Sequence, residues 1–134
     1  MGRIPGKAEE QCVKLFEQVL GARARRRHTF DFLRGDRTAK RPQGSRLPVD
    51  AYFREYSLVL EYLGEQHFQD NPLMNRRAGR REQRQRYLQR RLEALPQHDV
   101  KVICVRYDEP MTEEHARCKL KEASIQVTAP EEPD

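Results

Sequence analysis

Apolar and polar positions alternate in two short runs between residues 47 and 68, which is the pattern of a half-buried β hairpin. If Glu55 and Tyr56 form the turn, one face of the hairpin is wholly apolar, whereas a shift of one residue places Glu61 on that face. The pattern therefore predicts this register. The apolar face that it defines comprises Val49, Ala51, Phe53, Leu58, Leu60 and Tyr62.

The same register sets two carboxylates against each other across the hairpin. Asp50 lies directly opposite Glu61, with apolar Tyr52 and Val59 beside them on the same face. Like charges at facing cross-strand positions are destabilising, so a divalent cation bound between the two side chains would relieve their repulsion. In the alternative interpretation, Asp50 caps a turn at the end of a strand and Glu61 is solvated on an open face.

The remaining apolar positions predict a small mixed sheet flanked by helices. Helices are predicted over residues 7–20, 76–95 and 112–123, and further strands over residues 28–33, 101–106 and, at an edge, 125–127. Residues 102–105 are apolar on both faces, which is typical of a central strand. In the second helix, Leu88, Leu92 and Leu95 form the predicted buried stripe. The resulting order, α-β-β-β-α-β-α, belongs to the α/β fold class.

The chain has the length of one domain and a strongly charged composition. Of its 134 residues, 35% are charged and the mean hydropathy is -0.98, yet the apolar residues fall in periodic blocks. We therefore expect a core beneath a charged surface and not a disordered chain. A single domain over residues 1–128 is predicted, followed by an acidic, proline-containing and disordered tail over residues 129–134.

The cysteines and the hydropathy profile bear on compartment. The three cysteines show no CxxC spacing, which predicts a reduced intracellular location, cytoplasmic or nuclear, and no cysteine-bound metal cluster. Cys104 lies in a Val-Ile-Cys-Val run, where a buried structural thiol is a better interpretation than a nucleophile. No apolar run reaches transmembrane length and no signal-peptide core is visible, so we expect no membrane partner.

The net charge of +5 arises mainly from arginines, which concentrate in residues 23–46 and 76–91. A charge run is often only a solvated face, but the eight arginines of the second segment repel one another, and a polyanion relieves that repulsion. The sequence therefore predicts contact with DNA phosphates, and it does not distinguish DNA from RNA. The arginines expected at the phosphate backbone are Arg25, Arg26, Arg27, Arg77, Arg80, Arg81 and Arg84.

Residues 47–68, LPVDAYFREYSLVLEYLGEQHF, resemble the Asp…Glu-Tyr-x-Gly-x-Gln-His segment of the PD-(D/E)XK, or restriction-endonuclease-like, superfamily in its Vsr-like branch. The acidic start of the first helix, the Arg-rich second helix and the strand over residues 101–106 resemble that branch as well. The resemblance implies a restriction-endonuclease-like core and a metal-dependent endonuclease or nickase that hydrolyses DNA. Double-strand cutters of this kind often pair two active sites, so a homodimer is compatible with it.

The resemblance also implies a metal site. Asp50 and Glu61 would hold Mg²⁺ or Mn²⁺, with the backbone carbonyl of Leu63 as a further ligand. A glutamate of the first helix often joins such a site, and Glu9 fits best, with Glu10 close behind. An ordinary helix N-terminus also favours acidic residues, which explains these two glutamates without a metal.

Beyond the metal ligands, the resemblance implies roles for the Gln-His pair. Gln66 would orient the attacking water or contact the scissile phosphate, and His67 would do this instead or act as a general acid or base. Two positions depart from the family pattern, because Leu63 stands where the superfamily has a catalytic lysine and Gln85 where the Arg-rich helix often has an acid. These departures motivate two alternatives: a catalytically inactive nuclease-fold module that binds nucleic acid through Arg-rich surfaces, and an interaction subunit whose basic face meets an acidic protein.

Overall fold

Three helices and two small sheets make up the part of the chain that the computed structural model describes, residues 6–65 and 79–127. In chain order the elements are α1 (Lys7–Leu20), β1 (Arg25–Arg26), β2 (Thr29–Arg34), β3 (Arg46–Pro48), β4 (Ala51–Phe53), β5 (Leu58–Leu63), α2 (Arg80–Gln97), β6 (Lys101–Arg106) and α3 (Glu113–Glu122). The predicted mixed α/β class is confirmed. Within these two ranges, no helix combines the length and the apolar character needed to cross a lipid bilayer.

The main sheet has four strands in the order β1-β4-β5-β6, and β2 pairs with β3 in a separate two-stranded sheet. β4 is antiparallel to both β1 and β5, whereas β5 and β6 are parallel, as expected for two strands connected through a helix. The prediction of a central position for β6 is wrong, because β6 lies at an edge of the described sheet. Both faces of β6 are apolar because helices pack on both sides of the sheet. The apolar pattern therefore indicates that both faces are covered, but not whether the strand is central or at an edge.

The hairpin of β4 and β5 has the predicted register. The paired residues are Ala51 with Leu60, Tyr52 with Val59 and Phe53 with Leu58. A single turn of 3-10 helix, Arg54–Tyr56, connects the strands, so the chain reverses where the pattern predicts. Ser57 closes the turn with a left-handed φ of 47°, and its N–H donates a hydrogen bond to the Arg54 carbonyl at 3.2 Å.

The main sheet separates two apolar cores. On one face, α1 and α3 pack against Ala51, Phe53, Leu58 and Leu60 of the hairpin. On the other face, α2 and the β2-β3 sheet pack around Val59 and Val100. The hairpin pattern assigns Val49 to the first face, which is wrong, because Val49 lies in the second core. β4 begins only at Ala51, and the alternation of the strand does not extend back through residue 49.

α2 turns a different face to the sheet from the one that its leucines predict. Leu95 is fully buried, but Leu92 is 37% exposed and Leu88 is only half-buried. The prediction of Leu92 in the buried stripe is therefore wrong. Tyr87 and Ala94 pack against the second core instead, so the inner face of the helix lies to one side of the leucine stripe.

Both of the other helices begin and end close to the predicted residues. α1 has the predicted bounds, and Gly21 ends it with a φ of 63°, a conformation that glycine adopts without strain. α3 begins after Thr112, whose hydroxyl oxygen accepts a hydrogen bond from the His115 N–H at 3.2 Å. Thr112 is thus the N-cap that the sequence predicts.

Three short segments differ from the prediction or lie outside the described residues. β1 and β3 have two and three residues, too few for alternation to reveal them. Residues 125–127 form no strand, because Ile125 is buried in the first core at the end of α3. The predicted tail, 129–134, and the predicted start of the second helix, 76–78, lie outside the described residues.

Candidate metal and phosphate site

A cavity of about 510 Å³ opens beside the end of β5, between the start of α1 and the inner face of α2. Its charged lining consists of the carboxylates of Glu9, Asp50 and Glu61 and the guanidinium groups of Arg27, Arg84 and Arg91. Among the lining residues that the structure describes, acidic and basic side chains are therefore equal in number. Such a lining suits a ligand that carries both a cation and an anion, because each charged group can find its opposite.

Asp50 and Glu61 form the buried centre of this wall. Asp50 is 8% exposed and Glu61 is 2% exposed. The Asp50 N–H donates a hydrogen bond to Glu61 Oε2 at 3.3 Å, and the Tyr62 N–H donates one to Asp50 Oδ2 at 2.8 Å. The two carboxylates that the hairpin register sets opposite each other are thus brought together. Their role as metal ligands stays a prediction.

Burial next to Asp50 raises the pKa of Glu61. Burial raises the pKa of Glu61 most, and the negative charge of Asp50 and a hydrogen bond between the two side chains raise it further. The positive charge of Arg91 opposes these effects, and the resulting pKa is about 8. Burial and the negative charge of Asp50 therefore disfavour the charged form of Glu61, and additional positive charge at the pair would favour it.

Arg91 is the cation nearest to this pair, and sequence reasoning missed it as a site residue. Its Nε lies 2.6 Å from Glu61 Oε1, with the two side chains 15% and 3% exposed. The contact is an ion pair without hydrogen-bond geometry, and neither atom has a hydrogen-bond partner among the described residues. The available signal was helical spacing, since Arg91 lies one turn before the buried Leu95 and one turn after Tyr87.

Glu9 and Leu63 line the same cavity, but both already have partners. Glu9 is 3% exposed, and its Oε2 lies 3.4 Å from Arg26 Nη2, while the neighbouring Glu10 accepts a hydrogen bond from Arg26 at 2.7 Å. The Leu63 carbonyl accepts a hydrogen bond from the Tyr107 N–H at 2.8 Å. Among residues 6–65 and 79–127, no three histidine, cysteine or acidic side chains converge as a metal-binding group. Glu9 is thus placed beside the carboxylate pair but not gathered with it.

The arginines predicted to contact phosphate fall into two groups. Arg27 and Arg84 reach the cavity, and Arg27 Nη1 lies 4.0 Å from Asp50 Oδ1. Arg26 is bound to the two glutamates of α1, so its guanidinium positions that helix. The others in the described range, Arg25, Arg80 and Arg81, lie on β1 and at the start of α2, with Arg25 and Arg80 exposed and Arg81 half-buried.

Farther along α2, Arg86 and Arg90 bind the loop between β2 and β3. Asp36, in the loop between β2 and β3, accepts hydrogen bonds from Arg86 at 2.8 Å and from Arg90 at 2.6 Å. The Asp36 N–H donates one to the Tyr87 hydroxyl at 3.0 Å. These contacts tie the basic loop of residues 35–45 to α2. Asp36 therefore relieves part of the repulsion that the sequence predicts among the arginines of this helix.

The thiols of Cys12, which is buried, and Cys104, which is half-buried, do not suit nucleophilic chemistry. Burial raises the pKa of Cys104 to about 11, and the nearby Glu61 raises it further. Burial likewise raises the pKa of Cys12 to about 12, followed by the charge of Asp50. Both thiols stay protonated at neutral pH, which supports the interpretation of Cys104 as a structural residue.

Three predicted residues, Gln66, His67 and Arg77, lie outside the described residues.

Comparison of the chain with protein-family models, with curated proteins and with solved structures gave no match. Function is therefore inferred from the cavity and from the motif that surrounds it.

Proposed function

We propose that this protein is a metal-dependent endonuclease or nickase that hydrolyses phosphodiester bonds of DNA within a restriction-endonuclease-like core. One observation carries the proposal. Two buried carboxylates, Asp50 and Glu61, lie together on the wall of a cavity that also presents three arginines. Phosphodiester hydrolysis needs a cation held by carboxylates and positive charge around the phosphate, and this wall has the residues for both.

The residues fit a hard divalent cation. Burial and the negative charge of Asp50 raise the pKa of Glu61, and Glu61 Oε1 has no hydrogen-bond partner among the described residues, so a bound cation would stabilise the charged pair. Mg²⁺ and Mn²⁺ accept two carboxylate ligands and complete their shell with water and phosphate oxygens, so Asp50 and Glu61 would suffice to hold one. When bound, such an ion supplies a nucleophilic water near neutral pH and a counter-charge for the phosphate.

The chain itself would bind and orient the DNA backbone. Arg27, which follows β1, and Arg84 of α2 both line the cavity, where each can contact a phosphate oxygen. Arg26 fixes the start of α1 through Glu9 and Glu10, which keeps that wall in place. Gln66 follows the end of β5 by three residues and stays the candidate, with His67, to orient the attacking water.

A second candidate function is a nuclease-fold module that binds nucleic acid without cleaving it. The 2.6 Å contact between Arg91 and Glu61 favours it, because a guanidinium already neutralises one of the two carboxylates. Leu63 at the position of the superfamily's lysine favours it as well. In that case the arginines would still hold phosphates, and the affinity would fall steeply with salt.

Cleavage of supercoiled plasmid with Mg²⁺ or Mn²⁺ tests the first proposal. The wild-type chain should nick the plasmid, and Asp50→Asn and Glu61→Gln should each lower the rate by about 100-fold or more, since loss of a metal ligand exceeds the effect of its supporting residues. Asp31→Asn is the matched control, because that carboxylate is 78% exposed and does not line the cavity.

The outcomes separate the candidates. Equal nicking by all variants means a contaminating nuclease. No cleavage together with a salt-sensitive DNA shift supports the binding module, and no DNA shift even at low salt supports a subunit that meets an acidic protein instead.

A further inference from the structure

The oxygen atoms of the carboxylate pair differ in what already holds them. Glu61 Oε2 accepts the Asp50 N–H, and Asp50 Oδ2 accepts the Tyr62 N–H. Glu61 Oε1 is the one that faces the guanidinium of Arg91. A cation that enters the cavity and seeks Glu61 therefore meets Arg91 at the oxygen that no main-chain N–H holds.

From this arrangement we propose that Arg91 is an exchangeable counter-ion: a divalent cation displaces its guanidinium from Glu61, and the released guanidinium becomes a phosphate-binding group in the same cavity. The inference rests on the proposed function. It adds that metal and phosphate bind cooperatively. Binding of the metal ion releases Arg91 from Glu61, and the released Arg91 then binds phosphate.

The contact is suited to exchange. Arg91 Nε and Glu61 Oε1 attract each other as charges but lack hydrogen-bond geometry, so no directional bond has to be broken beyond the ion pair. Leu95, fully buried one turn away, and Tyr87 fix the backbone of α2 against the second core. A change of side-chain rotamer is then enough to move the guanidinium while the helix stays in place.

Charge explains why the exchange needs the metal. When Glu61 is ionised, leaving this buried carboxylate without a cation would be strongly destabilising, so Arg91 stays on it until a metal ion takes its place. An ion of charge +2 replaces a guanidinium of charge +1 at Glu61 and attracts the neighbouring carboxylate of Asp50 as well. The freed Arg91 still lines the cavity with Arg27 and Arg84, where a phosphate is its natural partner.

Calorimetric titration with Mn²⁺ tests the competition directly, without any measurement of cleavage. Arg91→Met keeps the apolar stem and removes the charge, and we expect it to bind Mn²⁺ about tenfold or more tightly than the wild type. Arg86→Met is the matched control, since that arginine lies on the same helix but binds Asp36, and its Mn²⁺ affinity should equal that of the wild type. Arg91→Lys serves if the methionine variant does not fold: a lysine cannot reproduce the guanidinium contact, so tighter binding is again expected.

A second titration tests the phosphate half of the inference. Binding of a short DNA duplex is followed by fluorescence anisotropy with and without Ca²⁺, an ion that fills oxygen sites while supporting little hydrolysis. Ca²⁺ should raise the DNA affinity of the wild type more than that of Arg91→Met. Equal enhancement in the two proteins overturns the phosphate role.

The possible results separate this inference from the proposed function. If Mn²⁺ binds the wild type, Arg91→Met and Arg91→Lys equally, the exchange is wrong and the metal-dependent nuclease stands. If none of these proteins binds Mn²⁺, metal-dependent hydrolysis is wrong and the exchange fails with it. Binding by the Arg91 variants but not by the wild type means that the cation cannot displace Arg91, which overturns the exchange and favours the non-cleaving module.

Discussion

The main-chain N–H of Asp50 donates a hydrogen bond to the carboxylate of Glu61 at 3.3 Å, and both side chains are almost fully buried. This bond fixes the orientation of Glu61 without supplying the positive charge that two adjacent carboxylates require. Arg91 supplies one such charge from α2. The pH dependence of stability should therefore carry the signature of this incompletely compensated pair.

Stability should fall as the pH rises from about 4.5 to about 8, the interval between the ordinary and the raised pKa of Glu61. In this interval the folded protein holds a proton on Glu61 that the unfolded chain releases, so the contribution is present below 4.5 and lost as the pH passes 8. Urea denaturation at a series of pH values measures it. In Glu61→Gln the free energy of unfolding should change less with pH over this interval. An unchanged pH dependence in that variant would contradict its attribution to Glu61.

For Glu109 we expect the opposite effect, a loss of stability as the pH falls into the acid range. Burial pushes the pKa of Glu109 up, but hydrogen bonds from Lys119 and His115, each 2.7 Å long, lower it to about 2. The stability that Glu109 contributes is present above its ordinary pKa and lost as the pH falls from about 4.5 to about 2. Glu109→Gln should remove this loss in the same denaturation series. Glu113→Gln is the control, because that side chain is 61% exposed.

Sequence patterns predicted those features that alternation and spacing encode directly. The register of β4 and β5 was accessible because a shift of one residue would have placed Glu61 on the face that is otherwise wholly apolar. The bounds of α1 were accessible because an apolar stripe ends at a glycine. The edge position of β6 was not, since alternation reports which faces are covered and says nothing about lateral neighbours.

The site could be predicted only in part for a related reason. Asp50 and Glu61 follow from the hairpin register, which is local in sequence. Arg91 lies on α2, whose buried face we predicted from the positions of its leucines. Because the long side chain of an arginine can also lie against the buried face, leucine positions alone did not identify Arg91. The clamp of Asp36 by α2 joins residues fifty positions apart, and charge runs do not reveal their partners.

The corrected inner face of α2 predicts unequal effects of two leucine truncations. Leu95→Ala removes a fully buried side chain and should lower the free energy of unfolding by about 2–5 kcal/mol. Leu92→Ala shortens a side chain that is 37% exposed and should cost less than about 1 kcal/mol. Urea denaturation of both variants at one pH provides the comparison. Similar losses in the two would restore the leucine stripe as the buried face.

The salt dependence of DNA binding should identify the arginines that contact phosphate. Each phosphate contact that is lost reduces the slope of log affinity against log salt concentration by about 0.9. Arg27→Ala and Arg84→Ala should each reduce it by about this amount, because both side chains line the cavity beside the carboxylate pair. Fluorescence anisotropy of a labelled duplex over a range of salt concentrations measures the slope.

Arg117→Ala is the matched control for that series, because this substitution removes the same charge from the protein. Arg117 is paired with Glu113 on α3 and does not line the cavity. Its slope should match that of the wild type. If Arg117→Ala changes the slope as much as Arg84→Ala does, binding follows net charge alone and the cavity is not where the phosphates lie. A reduced slope in the cavity variants only would locate the DNA backbone at the wall that holds Asp50 and Glu61, as hydrolysis at that pair requires.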